Sequence, residues 1–150
     1  MPDSDAPALG IVLEIRRRFT AVPERVFDAW TRPEALKRWW CPPGWIPDRT
    51  EIDLRVGGAF CIGMRQQAGD RIVCVVGHFL DVEPGAKLVY TWMWEGAFEQ
   101  MPQTRVTVLF LPAPVGTEVV LRHEGFPSIA LWQQHRAGWI AGCDRMDAIL

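Results

Sequence analysis

Alternating apolar and polar residues predict that most of this chain forms β-strands. In residues 11–19, the apolar Leu13, Ile15 and Phe19 share one face of a strand whose other face is charged. Six further segments alternate in the same way: residues 50–56, 59–65, 71–82, 87–95, 104–111 and 117–124. Short turn sequences, most of them containing glycine or proline, separate most of them, so we expect consecutive strands to pair antiparallel.

Three segments instead repeat apolar residues every three or four positions, which predicts helices. Residues 22–30 and 32–40 are short, and each carries a proline near its first turn, where proline is tolerated. Residues 128–150 form a longer helix of about six turns. Its predicted apolar stripe consists of Ile129, Trp132, Trp139, Cys143, Met146 and Leu150.

The order of these elements predicts an α+β fold with one domain. One long amphipathic helix follows seven strands, and the economical way to bury both is to wrap the curved antiparallel sheet around that helix. The two short helices follow the first strand. We expect residues 1–10, which are acidic and proline-rich, to be a flexible leader, and residues 11–150 to be the domain.

Composition narrows the classes of function. Hydrophobic residues make up 49% of the 150 residues and charged residues 23%, as in globular proteins. The net charge of −2 argues against a nucleic-acid partner, which requires a basic face. No apolar run approaches the roughly 18 residues of a membrane span. The four cysteines form no C-x-x-C pair, so we expect free thiols, no metal, no cofactor and a cytoplasmic location.

The inward rows of the predicted sheet and the last helix carry many large rings. Such rings suit an apolar pocket with a few polar groups, and ordinary core packing is the alternative. The small residues Gly138 and Gly142 would leave room beside the helix or let it approach a neighbour closely. The residues predicted to line a cavity between sheet and helix are Trp40, Phe60, Ile62, Met64, Phe79, Tyr90, Trp92, Phe110, His123, Trp132, Trp139 and Cys143.

His123 shares the inward face of its strand with Leu121. We favour a buried histidine with one backbone partner. The functional alternative is a polar contact to a ligand or an acid–base group, since an unperturbed histidine pKa of about 6.5 suits that work. No nucleophile or carboxylate is spaced locally for a catalytic triad.

Arg17 and Asp53 are the charged candidates. Alternation turns Arg17 toward the apolar face of its strand, where a guanidinium needs a carboxylate or a ligand anion. Asp53 alternates outward and forms an Asp-x-Arg pattern with Arg55. A structural ion pair or a surface network is the favoured interpretation, and a role in binding is the alternative.

Other titratable residues carry weaker signals. Cys41 falls in a predicted loop beside Arg38, where an exposed reactive thiol is an alternative to a buried, inert one. His78 and His135 are interpreted as surface or strand-edge residues.

The segment "RWWCPPGW" at residues 38–45 joins the second short helix to the second strand. Its tryptophans either plug the end of the fold as core or form a lid over a cavity. The same residues could also form a homodimer interface, because tryptophan is enriched at interfaces.

Five motifs in order carry a family resemblance. They are "F.AWTRPE.LKRWW.PPGW", "IDLRVGG", "G.FLDVEPG.KLVYTW", "VTV.F.P...GTEV.L.HEGFP" and "HRAGW". Together they resemble the helix-grip SRPBCC superfamily, which includes START lipid-transfer domains, birch-pollen-allergen proteins and polyketide cyclases. Within it, the chain is similar to bacterial relatives of the C-terminal domain of the heat-shock-chaperone ATPase activator.

The resemblance implies a helix-grip fold and three candidate functions. The favoured one is binding of a small apolar or aromatic molecule inside the fold. The alternatives are a polyketide cyclase/dehydrase-like enzyme, which leaves catalysis open, and a chaperone-interacting module. The eukaryotic activator has a separate N-terminal domain that helps engage its chaperone. Only the predicted leader precedes residue 11 here, so we do not expect full co-chaperone activity.

Overall fold

Seven strands and three helices make up the chain in the computed structural model, which describes residues 10–150. The predicted leader lies outside the described residues except for Gly10, which packs closely against the backbone of Gly125. In chain order the elements are β1 (Ile11–Phe19), α1 (Pro23–Thr31), α2 (Pro33–Trp39), β2 (Trp45–Ile52), β3 (Ala59–Gln66), β4 (Ile72–Glu83), β5 (Lys87–Glu95), β6 (Thr104–Pro112), β7 (Thr117–Phe126) and α3 (Ile129–Ile149).

The seven strands form one sheet in the order β1-β7-β6-β5-β4-β3-β2, with every neighbouring pair antiparallel. This arrangement, with a long C-terminal helix against the sheet, confirms the predicted α+β helix-grip fold. β1 and β2 are the two edge strands. Pro47 lies in β2, where its missing N–H is tolerated, and the β2–β3 register shifts between Pro47 and Thr50.

β2 differs from its prediction at both ends. The strand begins at Trp45 and ends at Ile52, whereas alternation indicated residues 50–56. The chain leaves the sheet after Ile52, and the backbone N–H of Gly57 donates to the Phe79 carbonyl of β4 at 2.8 Å. Gly57 has φ +82°, a conformation that glycine adopts readily. Leu54 and Val56 are therefore exposed, and the alternation there marks a loop.

α1 and α2 follow their prediction. Pro23 and Pro33 stand in the first turns, where their missing N–H groups cost nothing. Each of the two helices packs one face against the core, and Trp39 at the end of α2 is 1% exposed.

α3 begins after Ser128, whose side chain accepts a hydrogen bond from the Leu131 N–H. The inner face departs from the predicted stripe at its N-terminal end. Ile129 is exposed, and Trp132 is only partly buried. The buried residues of the helix are His135, Trp139, Gly142, Cys143 and Met146.

Candidate ligand-binding site

An apolar cavity of about 240 Å³ opens where α2, α3 and β5 meet. Five tryptophans and one phenylalanine form much of its wall, and no carboxylate is among the residues of the described chain that line it. The lining residues are Trp39, Trp40, Pro42, Met64, Trp92, Trp94, Phe98, Gln134, His135, Gly138, Trp139, Ala141, Gly142 and Arg145.

Four of the predicted cavity residues lie in this wall: Trp40, Met64, Trp92 and Trp139. The ring centroids of Trp40 and Trp92 are 5.5 Å apart, and those of Trp92 and Trp139 are 5.4 Å apart. Each pair is tilted, in the distance range typical of aromatic packing. The rings thus support one another and form a stiff wall.

Gly138 keeps the cavity open. A Cβ added at this position of α3 would meet no atom within 4 Å. At Gly142, one turn later, an added Cβ would already lie 3.4 Å from the Trp39 ring. Gly138 therefore leaves room beside the helix, and Gly142 permits close packing against Trp39. Both predicted roles of a small residue on this helix occur, one at each glycine.

A separate void of about 20 Å³ is lined by Phe60, Ile62, Phe79 and Tyr90. These four residues were predicted to line the ligand cavity, and that prediction is corrected here. A void of that size holds about one water molecule. The Tyr90 hydroxyl accepts a hydrogen bond from Trp30 Nε1 at 3.2 Å, and burial raises the pKa of Tyr90 above its ordinary value. Tyr90 is therefore a core residue.

Phe110, His123 and Cys143 line neither space, which is a second correction. Phe110 packs edge-on against Phe27 at 5.3 Å. Cys143 is 3% exposed, and burial raises the pKa of its thiol to about 11. Both belong to the packed core.

Trp132 lies outside the cavity, the third correction. Its Nε1 donates to the Val12 carbonyl of β1 at 3.1 Å. Trp132 precedes Trp139 by seven residues, about two turns or roughly 10 Å along the axis. At the level of Trp132, this side of α3 therefore contacts the edge strand β1, whereas at the level of Trp139 it lines the cavity.

His123 is fully buried in a closed hydrogen-bond chain. Its Nδ1 accepts from Trp139 Nε1 at 3.1 Å, and because an indole N–H only donates, the proton of the neutral ring resides on Nε2. Nε2 then donates to Thr104 Oγ1 at 2.8 Å, and that hydroxyl donates to the Trp92 carbonyl. Burial, assisted by the nearby His135, lowers the pKa of His123 well below 6.5. This ring has no nitrogen left for a ligand.

His135 lies in the cavity wall, which corrects its interpretation as a surface residue. Its Nε2 accepts from Trp94 Nε1 at 2.9 Å, and its Nδ1 donates to the Leu131 carbonyl at 2.8 Å. Burial lowers the pKa of His135. Its neutral tautomer is opposite to that of His123, and it too uses both nitrogens.

Trp92 carries an unpaired polar group. Its Nε1 is buried and has no hydrogen-bond partner within the described part of the chain. A buried N–H without an acceptor costs about 1–3 kcal/mol.

Phe98 completes the cavity wall from the β5–β6 loop. Its backbone has φ +48°, a region that bulky residues rarely adopt. The centroid of its ring lies 5.0 Å from the ring centroids of both Trp94 and His135. Strained residues of this kind concentrate at functional sites.

Arg17 and Asp53 lie apart from each other and from the cavity. Arg17 does point toward α3, where its Nη1 lies 2.7 Å from Asp144 Oδ1 and its Nη2 3.9 Å from Asp147 Oδ2. Asp53 pairs with Arg55 at 2.9 Å on the surface. Each residue thus forms an ion pair within the protein, away from the cavity wall.

Cys41 is half-buried near Arg145. Burial raises the pKa of the Cys41 thiol to about 11, with Arg145 opposing the shift. The thiol is protonated at neutral pH, so the reactive alternative is not supported.

Sequence reasoning missed several wall residues, among them His135, Phe98 and Arg145. The first had a usable signal, since His135 precedes Trp139 by four residues and so shares its helix face. Phe98 lies in a loop, and Arg145 reaches the cavity from the side of the helix stripe. Neither position follows from periodicity.

The open sheet wrapped on α3, with an apolar cavity between them, defines a helix-grip protein of the SRPBCC type. A family model described as Activator of Hsp90 ATPase homolog 1-like protein matches residues 20–150. The chain belongs to this family. Proteins of the SRPBCC type commonly bind hydrophobic ligands. Membership of this family is compatible with a ligand or with a chaperone as the partner.

Solved structures from bacteria share the fold. A protein of Chromobacterium violaceum has 27% identity and a TM-score of 0.83, with 92% of this chain and 95% of that chain covered. An AHSA1-like protein of Aeromonas hydrophila has 26% identity and a TM-score of 0.77, with 92% and 90% covered. A Rhizobium leguminosarum protein has 24% identity and a TM-score of 0.80, with 93% of each chain covered.

No protein of curated function matches the chain. Over residues 10–150, no helix combines the length and apolar character needed to cross a bilayer.

Proposed function

We propose that this protein binds a small apolar or aromatic molecule in the cavity between α2, α3 and β5. The observation that carries the proposal is a ring-walled space kept open by Gly138, where an added Cβ would meet nothing within 4 Å. Gly138 is exposed, so the space opens to solvent and a small molecule can reach its apolar wall.

The size of the cavity indicates the size of the ligand. An apolar cavity of about 150 Å³ is enough to hold benzene. The space here is about 240 Å³, which suits a substituted ring or a two-ring molecule. Burial of ligand surface supplies about 25 cal/mol per Å² before ordering costs.

The cyclase-like alternative lacks an acid or base at the cavity. The wall includes no carboxylate among the described residues, and both nitrogens of His135 are engaged within the protein. General acid–base catalysis needs a group free to exchange a proton with the substrate. A binding role fits this wall better than a catalytic one.

The chaperone-interaction alternative comes from the family description. It predicts an exposed interaction patch and no accessible cavity. The open cavity therefore favours ligand binding over this alternative.

Filling the cavity tests the proposal. In Gly138→Leu the new Cβ meets no atom within 4 Å and a helix-interior glycine is removed, so we expect the fold to be retained. We expect calorimetric titration with 2-naphthamide and 2-naphthoate to show binding to the natural protein and at least a tenfold loss in Gly138→Leu.

Ala137→Leu is the matched control, since it adds the same side chain at the preceding, exposed position of α3. It should leave binding unchanged. Absence of binding of these two probes and of octanoate and octanamide to the natural protein, or equal binding to Gly138→Leu, would overturn the proposal.

A further inference from the structure

Arg145 of α3 stands at the cavity with its guanidinium held in place. Its Nε donates to the Trp39 carbonyl at 2.7 Å and its Nη2 to the Trp40 carbonyl at 3.3 Å. These carbonyls belong to the C-terminal end of α2. The side chain is half-buried and lines the cavity directly. An orientation fixed by two hydrogen bonds reduces the entropy lost when a further partner binds.

Within the described residues, no nearby carboxylate neutralises the charge of Arg145. Among residues 10–150, no carboxylate oxygen lies within 4.0 Å of its nitrogens. Arg17, which reaches the same helix from β1, shows the contrast, since it takes the two acidic residues Asp144 and Asp147. Both partners of Arg145 are neutral carbonyls.

The guanidinium retains donors for a ligand. An arginine has five N–H groups, and two are used here, on Nε and Nη2. Two N–H groups on Nη1 and one on Nη2 are left, and one from each nitrogen forms the edge that binds a carboxylate in the bidentate geometry. A single guanidinium offers one such fork, which matches one planar monovalent anion.

The rest of the wall defines the other part of the ligand. Besides Arg145, the polar lining residues are Gln134 and His135, and the ring of His135 is neutral and engaged. The remaining wall is apolar.

We propose that the ligand is a small monocarboxylic acid, whose ring or short chain fills the cavity and whose carboxylate pairs with the guanidinium of Arg145. This inference rests on the proposed function, because it names the chemical class of the ligand of that same cavity.

Paired acids and amides test the charge directly. 2-Naphthoate and 2-naphthamide share a two-ring body, and octanoate and octanamide share an aliphatic one. We expect each acid to bind the natural protein about tenfold more tightly than its amide, since hydrogen bonds to charged groups are about that much stronger than neutral ones. Comparing the affinities of the two acids shows whether the cavity prefers a ligand with an aromatic or an aliphatic body.

Variants locate the preference. Arg145→Gln should reduce the acid-over-amide preference to within about twofold, and Arg145→Lys, which keeps the charge without the fork, should retain part of it. Arg136→Gln, which removes an exposed arginine of the same helix outside the cavity, should retain all of it. Affinity for the amide reports whether each variant still forms the cavity.

Equal affinity of acid and amide for the natural protein, or a preference unchanged in Arg145→Gln, would overturn the carboxylate inference and leave Arg145 as a cap of α2. In that case amide binding that is lost in Gly138→Leu would still uphold the cavity as a binding site. Absence of binding by all four probes would overturn both proposals.

Discussion

The two buried histidines are neutral in opposite tautomers, and each tautomer is dictated by an indole N–H. Trp139 donates to Nδ1 of His123, and Trp94 donates to Nε2 of His135. Protonating either accepting nitrogen would remove that acceptor and place a charge among aromatic rings. Both rings therefore resist protonation, and burial lowers both pKa values.

This resistance predicts the pH dependence of stability. An unfolded histidine takes up a proton below about pH 6.5, whereas these folded rings remain neutral to lower pH. The unfolded state then binds more protons, so the contribution of the neutral rings is intact above about pH 6.5 and is lost as the pH falls below it. For each histidine, the free energy of unfolding falls by up to about 1.4 kcal/mol for every pH unit below about pH 6.5.

Urea unfolding at pH 7.5 and pH 5.5 measures this loss, and His135→Gln should show a smaller loss than the natural protein. Ring titration by NMR gives the independent check. A His123 ring that protonates near pH 6.5 would contradict the hydrogen-bond assignment.

The end of α2 places two adjacent tryptophans in different environments. Trp39 is 1% exposed, and its Nε1 donates to the Ala29 carbonyl at 2.7 Å. Trp40 is half-buried and packs on Trp92 and Trp139 at the cavity. Neighbouring helix positions differ by about 100° around the axis, so both rings line the cavity, but Trp39 is packed into the core and Trp40 stays partly in water.

Alanine at each position should therefore have a different main effect. Trp39→Ala should lower the free energy of unfolding by about 3–5 kcal/mol, as for other buried large-to-small changes. Trp40→Ala should cost no more than about 2 kcal/mol, because part of its ring is already in water, and should mainly weaken probe binding. Far-UV circular dichroism in urea and calorimetric titration measure the two effects.

Trp40→Phe, which keeps a ring in the wall, is the control for the binding effect. If Trp40→Ala instead destabilises the protein as much as Trp39→Ala and leaves probe affinity unchanged, Trp40 is a plug and not part of the binding wall.

The first strand and the last helix are joined across the fold by Arg17, Asp144 and Asp147. The Arg17 side chain is 28% exposed and the two carboxylates are more exposed. Partly solvated ion pairs contribute little, because water already screens the charges. The grip of the sheet on α3 consequently depends mainly on apolar burial at residues such as Leu13 and Met146, which are both 0% exposed.

Arg17→Gln should therefore lower the free energy of unfolding by no more than about 1 kcal/mol. The difference should shrink at high salt. Probe affinity should not change, because Arg17 lies outside the cavity wall. Arg16→Gln, on the exposed face of β1, is the matched control and should have a smaller effect. A loss of several kcal/mol in Arg17→Gln would mean that the ion pairs hold the helix.

Local pattern was sufficient for most of the architecture. Alternation placed Leu13, Ile15 and Arg17 on the inner face of β1, and short turns implied the pairing of consecutive strands from β2 to β7. The pairing of β1 with β7 does not follow from them. The same rule failed at Leu54 and Val56, because the backbone of Gly57 bonds to Phe79 of a strand distant in sequence. A local pattern carries no information about such a partner.

The sequence by itself determined the fold class, the inward rows and the abundance of rings near one end of the long helix, since these depend on periodicity and composition. Only the tertiary structure decided which rings enclose a space. Trp40 and Trp92 face the cavity while Phe110 is core, and Arg145 stands at the cavity beside carbonyls of α2. Those outcomes depend on the height and angle at which α3 crosses the sheet, and residues far apart in the chain set that crossing together.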